Sequence, residues 1–402
     1  MRVPFPEEWT AASAAPRACR PLSEADGRNL RSDPSRLRIV QLLAKLRQAR
    51  DEVRAYTAGQ FIEDLALLGR CLEQVGLAVV AAGRLRDLRV RAETFGLHFA
   101  ALDIRQHSAV HTEVLAELLR LGRVHADYAN LPETEKLALL LAQLEDPRPL
   151  LPRDADVSAV TRDLLDLYET LRQVRQTTPD ALGSYIVSMT HHVSDLLGVL
   201  VLFKEAGLWR MRDGKVEAAL DLVPLFETID DLERAPGLLA ELLEHPLYAE
   251  HLRARDSFQE IMLGYSDSSK DGGFWMSNWA LHTAQKNLAA PLIAKGVDFR
   301  FFHGRGGTVG RGGGRANRAI LANPPESRNG RIRFTEQGEI ITFRYDLADI
   351  ARRHLEQIVH AMMIGTVDRS AGESAADALA DTYQPSDTET RLMGDIARHS
   401  MA

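Results

Sequence analysis

The sequence predicts a mostly helical α/β protein, organised as an incomplete (β/α)8 TIM-type barrel with extra helices. Three observations carry this. From about residue 95, short apolar runs alternate with amphipathic helical segments, the pattern of a parallel sheet, either doubly wound or closed as a barrel. Almost every run ends in polar or charged residues, and such groups at the ends of several barrel strands converge on one site, which favours the barrel. About six runs can be counted, whereas a closed barrel of this type has eight strands.

Residues 1–36 are rich in Pro, Ala, Ser and charge with no sustained period, and read as a loose arm. Residues 37–91 read as a helical segment: Leu42, Leu43 and Leu46 recur at helical spacing, as do Phe61, Leu65 and Leu68. They carry no recognisable chemistry and are expected to pack on something else. Residues 92–345 form the partial barrel. Its strand-like runs are Leu97–Ile104, Ser184–Met189, Asp221–Phe226, Phe258–Tyr265 and Val297–Phe302, with Ile332–Thr342 as a sixth strand or a hairpin. Helical patterns fill 110–121, 133–145, 158–175, 194–206, 230–244 and 277–295. Lys204 with Gly207, and Lys295 with Gly296, supply the cation and the glycine that stop a helix. Residues 346–402 read as C-terminal helices. A sheet of six such strands is expected to stay open, with two unpaired edges and a half-exposed apolar interior.

Composition excludes several classes. The chain has 402 residues, 45% of them apolar and 26% charged, which suits a folded protein with a sizeable core. A net charge of −7 argues against a general nucleic-acid binder. The longest apolar runs, Val75–Gly83 and Leu196–Phe203, fall far short of the roughly 20 residues that a membrane-spanning helix needs. Cys19 and Cys71 form no disulfide framework and have no metal-ligand spacing, which points to a reducing, cytoplasmic compartment.

The strongest chemical signal runs from His303 to Arg315. Between Phe299 and Pro325 stand five arginines (Arg300, Arg305, Arg311, Arg315, Arg318), many glycines and no acidic residue. A glycine-rich loop after a strand lets backbone N–H groups approach an anion, and arginines add bidentate donors suited to phosphate or carboxylate. The glycine spacing fits neither a dinucleotide loop nor a Walker loop. The apolar strand before the loop also argues against an RNA-binding Arg-Gly-Gly segment. Glu227 and Asp267 each end a separate strand. Two such carboxylates suit one Mg²⁺ or Mn²⁺ whose remaining ligands come from a bound phosphate. Spacing alone gives Lys270 no role. His191 and His192 diverge as neighbours and are not expected to share a metal.

Five motifs then appear in order: Phe95-Gly-Leu-x₄-Leu102-Asp-Ile-Arg105-Gln, Pro224-Leu-Phe-Glu227-Thr, Gly264-Tyr-Ser-Asp267-Ser-x-Lys270-Asp, Phe302-His-Gly-Arg305-Gly-Gly-x-x-Gly-Arg311-Gly-Gly and Thr335-Glu-Gln-Gly-Glu339. This order resembles the phosphoenolpyruvate carboxylase family from about residue 55 to the C-terminus. The resemblance implies a barrel of that family's kind and a reaction joining bicarbonate to phosphoenolpyruvate, giving oxaloacetate and phosphate, with Mg²⁺ or Mn²⁺. It implies Glu227 and Asp267 as metal ligands, and Arg105 and Arg305 as phosphate-binding arginines. His303, Arg311 and Lys270 match positions around the reacting centre, and Leu225 and Met262 match apolar residues that hold the CO₂ intermediate. The family assembles as a homotetramer, an assembly not expected of this piece. The family's Thr-Ala-His-Pro-Thr-Glu motif does not occur here, and the chain reads as a central piece of a longer enzyme. Two functions follow: a carboxylase represented by its central segment, or an inactive fragment that binds only metal, a phosphorylated ligand or a partner chain.

Overall fold

The structure, a computed structural model, describes residues 34–52, 56–304, 316–336, 338–370 and 386–400. Most of the arm expected over 1–36 lies outside the described residues, as do Arg305, Arg311 and the rest of the glycine-rich loop from 305 to 315. The chain divides into two compact units, one of residues 1–102 with 170–183 and one of residues 103–169 with 184–402.

The first unit is helical, with α1 (Pro34–Asp51), α2 (Ala58–Gln74) and α3 (Arg86–Phe95), the last preceded by a π turn at Ala81–Leu85. Thr57 starts α2: its hydroxyl accepts the Gln60 N–H, and the Gln60 side chain accepts the Thr57 N–H. Phe61, Leu65, Leu68 and Leu72 then share one buried face with Leu42 and Tyr56, so these helices form a core of their own. Leu43, one residue out of phase, stands exposed. Asp64 lies inside this core. Burial alone would raise its pKa, but Lys45 at 2.7 Å, the Tyr56 hydroxyl at 2.6 Å and Arg38 outweigh it and hold the carboxyl below its usual range.

Among the described residues the second unit is built on eight strands. They are β1 (Leu102–His107), β2 (Leu182–Ser188), β3 (Trp209–Arg212), β4 (Lys215–Ala218), β5 (Leu222–Phe226), β6 (Phe258–Gly264), β7 (Asp298–Gly304) and β8 (Arg333–Phe334). Six form one parallel sheet in the order β1-β2-β5-β6-β7-β8, curled as a half-barrel. Helices α4 (Ser108–Leu121), α5 (Glu133–Glu145) and α6 (Ala159–Thr177) connect β1 to β2. Helix α7 (Val193–Glu205) follows β2, α8 (Ile229–Glu244) and α9 (Pro246–Arg253) follow β5, and α10 (Ser266–Ala294) follows β6. The apolar run Leu196–Phe203 is the buried heart of α7, and no helix among the described residues is long and apolar enough to cross a membrane. Helix α11 (Ala316–Leu321) lies between β7 and β8, and α12 (Gly338–Tyr345), α13 (Ala348–Ser370) and α14 (Asp387–His399) follow β8.

Three expectations need correction. Leu97–Ile104 is not one strand, because β1 starts only at Leu102. Gly96 and Phe99 take positive φ, and Leu97 and Phe99 are exposed, so the apolar letters before Leu102 belong to a turn. Ile332–Thr342 is neither a long strand nor a hairpin. Only Arg333 and Phe334 pair with β7, and the β-branched run that follows winds into α12, tied back by the ion pair of Arg344 with buried Glu336. The helix expected over 277–295 begins at Ser266 and is kinked at Gly273.

The interior also differs from the exposed apolar patch expected. Ile186, Val223, Leu225, Met262 and Phe302 form one buried cluster on the inward face. Two residues earlier on their strands, at the same inward parity, stand Glu260 and Arg300. The fully buried Glu260 carboxylate accepts from Arg300 Nη2 at 2.6 Å, Arg333 Nη1 at 2.9 Å and Ser184 Oγ at 2.8 Å. Arg333 lies over the Phe302 ring at 4.3 Å and reaches Asp103 at 2.5 Å. The two edge strands, β1 and β8, are thus tied across the interior by a salt bridge.

Candidate active site

The C-terminal ends of the strands gather most of the functional residues read from the sequence. Arg105, near the end of β1, donates from Nη2 to Glu227 Oε1 at 2.6 Å. Glu227 follows β5 directly and is buried, while the Arg105 side chain is half exposed. Gly264 ends the neighbouring strand β6. A Cβ built on Gly264 would stand 3.0 Å from both Cα and Cγ of Glu227, so only glycine lets the two strand ends approach this closely. Three residues on, Asp267 stands in the first turn of α10, where its Oδ1 accepts from Lys270 Nζ at 3.1 Å. Lys270 is therefore partnered with the candidate metal ligand, on the solvent side. The second turn of α10 is tied to the first turn of α8 by Asp271, whose Oδ2 accepts the Ile229 N–H at 2.8 Å.

Beneath these charges lies the apolar wall. Leu225 and Met262 are direct partners on β5 and β6, both buried, with Phe302 beside Met262 on β7. His303 follows Phe302 and is buried. Its Nδ1 meets the Tyr265 hydroxyl at 2.7 Å, and its side chain takes the opposite face of β7 from Phe302, towards Ile320 and Ile332. Arg305 and Arg311 lie outside the described residues, so their place relative to these groups is not part of this geometry.

The donors fit a hard divalent cation. Glu227 offers carboxylate oxygens from the end of β5 and Asp267 from the first turn of α10, and Glu227 Oε2 has no hydrogen-bond partner among the described residues. No group of three or more His, Cys, Asp or Glu side chains gathers as a metal cluster among the described residues. A pair of carboxylates completed by substrate oxygens and water is the arrangement Mg²⁺ and Mn²⁺ prefer.

Sequence reasoning missed two features. Glu260, Arg300 and Arg333 brace the floor beneath the site, and their signal was available: charges at the inward parity of Met262 and Phe302 inside apolar strands. The hairpin of β3 and β4 was also missed, although Asp213-Gly214 between alternating residues, both at positive φ, is a strong hairpin signal. His191 and His192 diverge. His191 pairs with Asp231, and His192 stands at the N-terminus of α7.

Comparison with known proteins gives a consistent result. The family described as "Phosphoenolpyruvate carboxylase" matches residues 30–401. A phosphoenolpyruvate carboxylase of Rhodothermus marinus is 52% identical over 389 residues, covering 93% of this chain and 41% of that protein. Those of Roseiflexus castenholzii and Mycobacterium leprae are 45% and 43% identical, over 77% and 81% of this chain. The chain thus spans about two fifths or less of the length of these relatives. With the motifs, the strand-end geometry and a match across nearly the whole sequence in agreement, this chain belongs to the phosphoenolpyruvate carboxylase family.

Proposed function

We propose that the chain carries central parts of the active site of a phosphoenolpyruvate carboxylase, which joins bicarbonate to phosphoenolpyruvate and releases oxaloacetate and phosphate. The observation that carries this is the meeting of Arg105 with Glu227 at the strand ends, with Asp267 in the first turn of the helix that follows the neighbouring strand β6. Arg105, with Arg305, grips the substrate phosphate, since a planar guanidinium suits its oxygens. Glu227 and Asp267 would hold Mg²⁺ or Mn²⁺, which would supply positive charge to balance the anions of the reaction. A bicarbonate oxygen attacks phosphorus, and the phosphoryl group passes to it, leaving the enolate of pyruvate. Carboxyphosphate then splits into CO₂ and phosphate, and the enolate carbon bonds to CO₂. Leu225 and Met262 wall the pocket and exclude the water that would protonate the enolate. The motif match assigns His303, Lys270 and Arg311 a part in the reaction. A cytoplasmic setting and the family's homotetramer belong to the same proposal for the complete enzyme.

Mn²⁺ titration followed by electron paramagnetic resonance tests the reading on the 402-residue chain. Wild type is expected to bind one ion, and Glu227→Gln and Asp267→Asn to bind it at least about tenfold more weakly. Equal binding by all three proteins overturns the assignment.

A further inference from the structure

We infer that Asp231, itself oriented by His191, is a positioning residue that fixes the Glu227 carboxylate at the mouth of the half-barrel. The inference rests on the reading of Glu227 as a metal ligand and adds the residues that hold it in place.

The Asp231 side chain is fully buried in the first turn of α8. Its Oδ2 accepts the N–H groups of Thr228 at 3.1 Å and of Glu227 at 3.4 Å. Thr228 answers by accepting the Asp231 N–H on its hydroxyl at 3.0 Å. A helix cap needs only the exchange between Thr228 and Asp231. Here the same oxygen also takes the amide of the residue before the cap, and that residue is Glu227. The second oxygen, Oδ1, faces His191 Nδ1 at 2.7 Å, and Arg234 Nη2 stands 3.5 Å away. A carboxylate only accepts, so His191 Nδ1 carries the proton and donates.

His191 comes from another element. It follows β2, two residues after the positive φ of Met189, 40 positions from Asp231 in sequence. It is braced in turn, because its N–H donates to Asp195 Oδ2 at 2.9 Å and Arg234 Nη1 approaches its carbonyl at 3.5 Å. Burial would raise the Asp231 pKa, but the Thr228 amide and hydroxyl and His191 outweigh it, and the carboxyl stays below its usual range. On the opposite side, Gly264 closes against the Cα and Cγ of Glu227. The Glu227 backbone is therefore clamped between β6 and a His–Asp pair. Such outer partners fix ligand orientation in metal sites.

The test measures Mn²⁺ affinity of the whole chain, with metal-free melting recorded alongside. In His191→Asn the amide Nδ2 stands where Nδ1 stood and still donates, whereas His191→Leu cannot donate. His191→Leu and Asp231→Asn are expected to weaken Mn²⁺ binding about tenfold, and His191→Asn to restore affinity close to wild type. Glu227→Gln is the control for the underlying reading. If Glu227→Gln loses Mn²⁺ while His191→Leu and Asp231→Asn bind as wild type, the positioning role is overturned and the ligand assignment stands. If His191→Asn binds as weakly as His191→Leu, the hydrogen bond is not what matters and the inference also falls. Unchanged binding by Glu227→Gln overturns the ligand reading instead. Should Asp231→Asn fail to fold, the two His191 variants decide alone.

Discussion

Arg105 and Glu227, 122 positions apart in sequence, share a hydrogen bond of 2.6 Å at the mouth of the half-barrel. A cation that binds Glu227 meets a guanidinium already on that carboxylate, so the two positive groups compete. Arg105→Gln is therefore expected to tighten Mn²⁺ binding about three- to tenfold while weakening inorganic phosphate. Parallel calorimetric titrations with Mn²⁺ and with phosphate check both signs. Unchanged Mn²⁺ affinity would show that Arg105 and the cation do not compete.

Gly264 leaves no room for a side chain against Glu227. Gly264→Ala is expected to destabilise the chain by about 1–3 kcal/mol through a forced backbone shift. Gly237, exposed inside α8 with nothing near its added Cβ, gives the opposite sign: Gly237→Ala should stabilise by about 0.5–1 kcal/mol. Thermal melting of the two variants against wild type settles the contrast.

Leu225 and Met262 face each other directly across β5 and β6. Each substitution to Ala is expected to cost about 2–4 kcal/mol, from lost burial plus a cavity. Because the two share that cavity, the double variant should cost less than the sum, by about 0.5 kcal/mol or more. Denaturant unfolding of the four proteins measures the coupling, and strict additivity would mean that the side chains do not share a packed layer.

His111 and His251 are buried, and burial depresses their pKa values to about 3 and about 4 from an ordinary 6.5. Their folded forms stay neutral where the unfolded chain already takes up protons. Stability is therefore present above pH 6.5 and lost as pH falls towards the folded values, with a slope of about 1.4 kcal/mol per pH unit for each residue. His111→Gln keeps a donor at the position that meets the Tyr185 hydroxyl at 2.8 Å, and removes one proton from this dependence. Urea midpoints between pH 7 and pH 4.5 should fall less steeply for this variant. Parallel slopes would show that His111 titrates normally in the fold.

Much of the sheet was legible because buried parallel strands are continuous apolar runs with charges at their ends. Asp221–Phe226, Phe258–Tyr265 and Val297–Phe302 lie within two residues of β5, β6 and β7 at each end. The failures share a cause: local letters cannot report what a segment packs against. Phe99 looks like a strand residue but stacks on Phe95 in an exposed turn, and Ile340 and Ile341 have strand letters yet lie in a helix. In the candidate site, Arg105, Glu227 and Asp267 were singled out by motif order, and the structure brings Arg105 and Glu227 together. Asp231 was hidden as one acid among several on α8, and its role depends on a histidine from another strand end. Glu260 was hidden because its partners, Arg300 and Arg333, come from strands far along the chain.

The bridge from Arg333 to Asp103 spans 230 positions, and this bears on the order in which the fold is completed. On a ribosome adding roughly 5–20 residues per second, Asp103 emerges on the order of tens of seconds before its partner. Glu260 likewise waits for Arg333 after Arg300 has emerged. Until then a carboxylate destined for full burial lacks one of its cations, and an early collapse of the sheet around it is disfavoured. Contacts of this separation slow folding, because the loop between them must close before they form. The sheet's first strand therefore settles last against a residue made long after it, and a nascent chain interrupted between β7 and β8 would hold five of the six sheet strands, with Glu260 paired to Arg300 alone and Asp103 without Arg333.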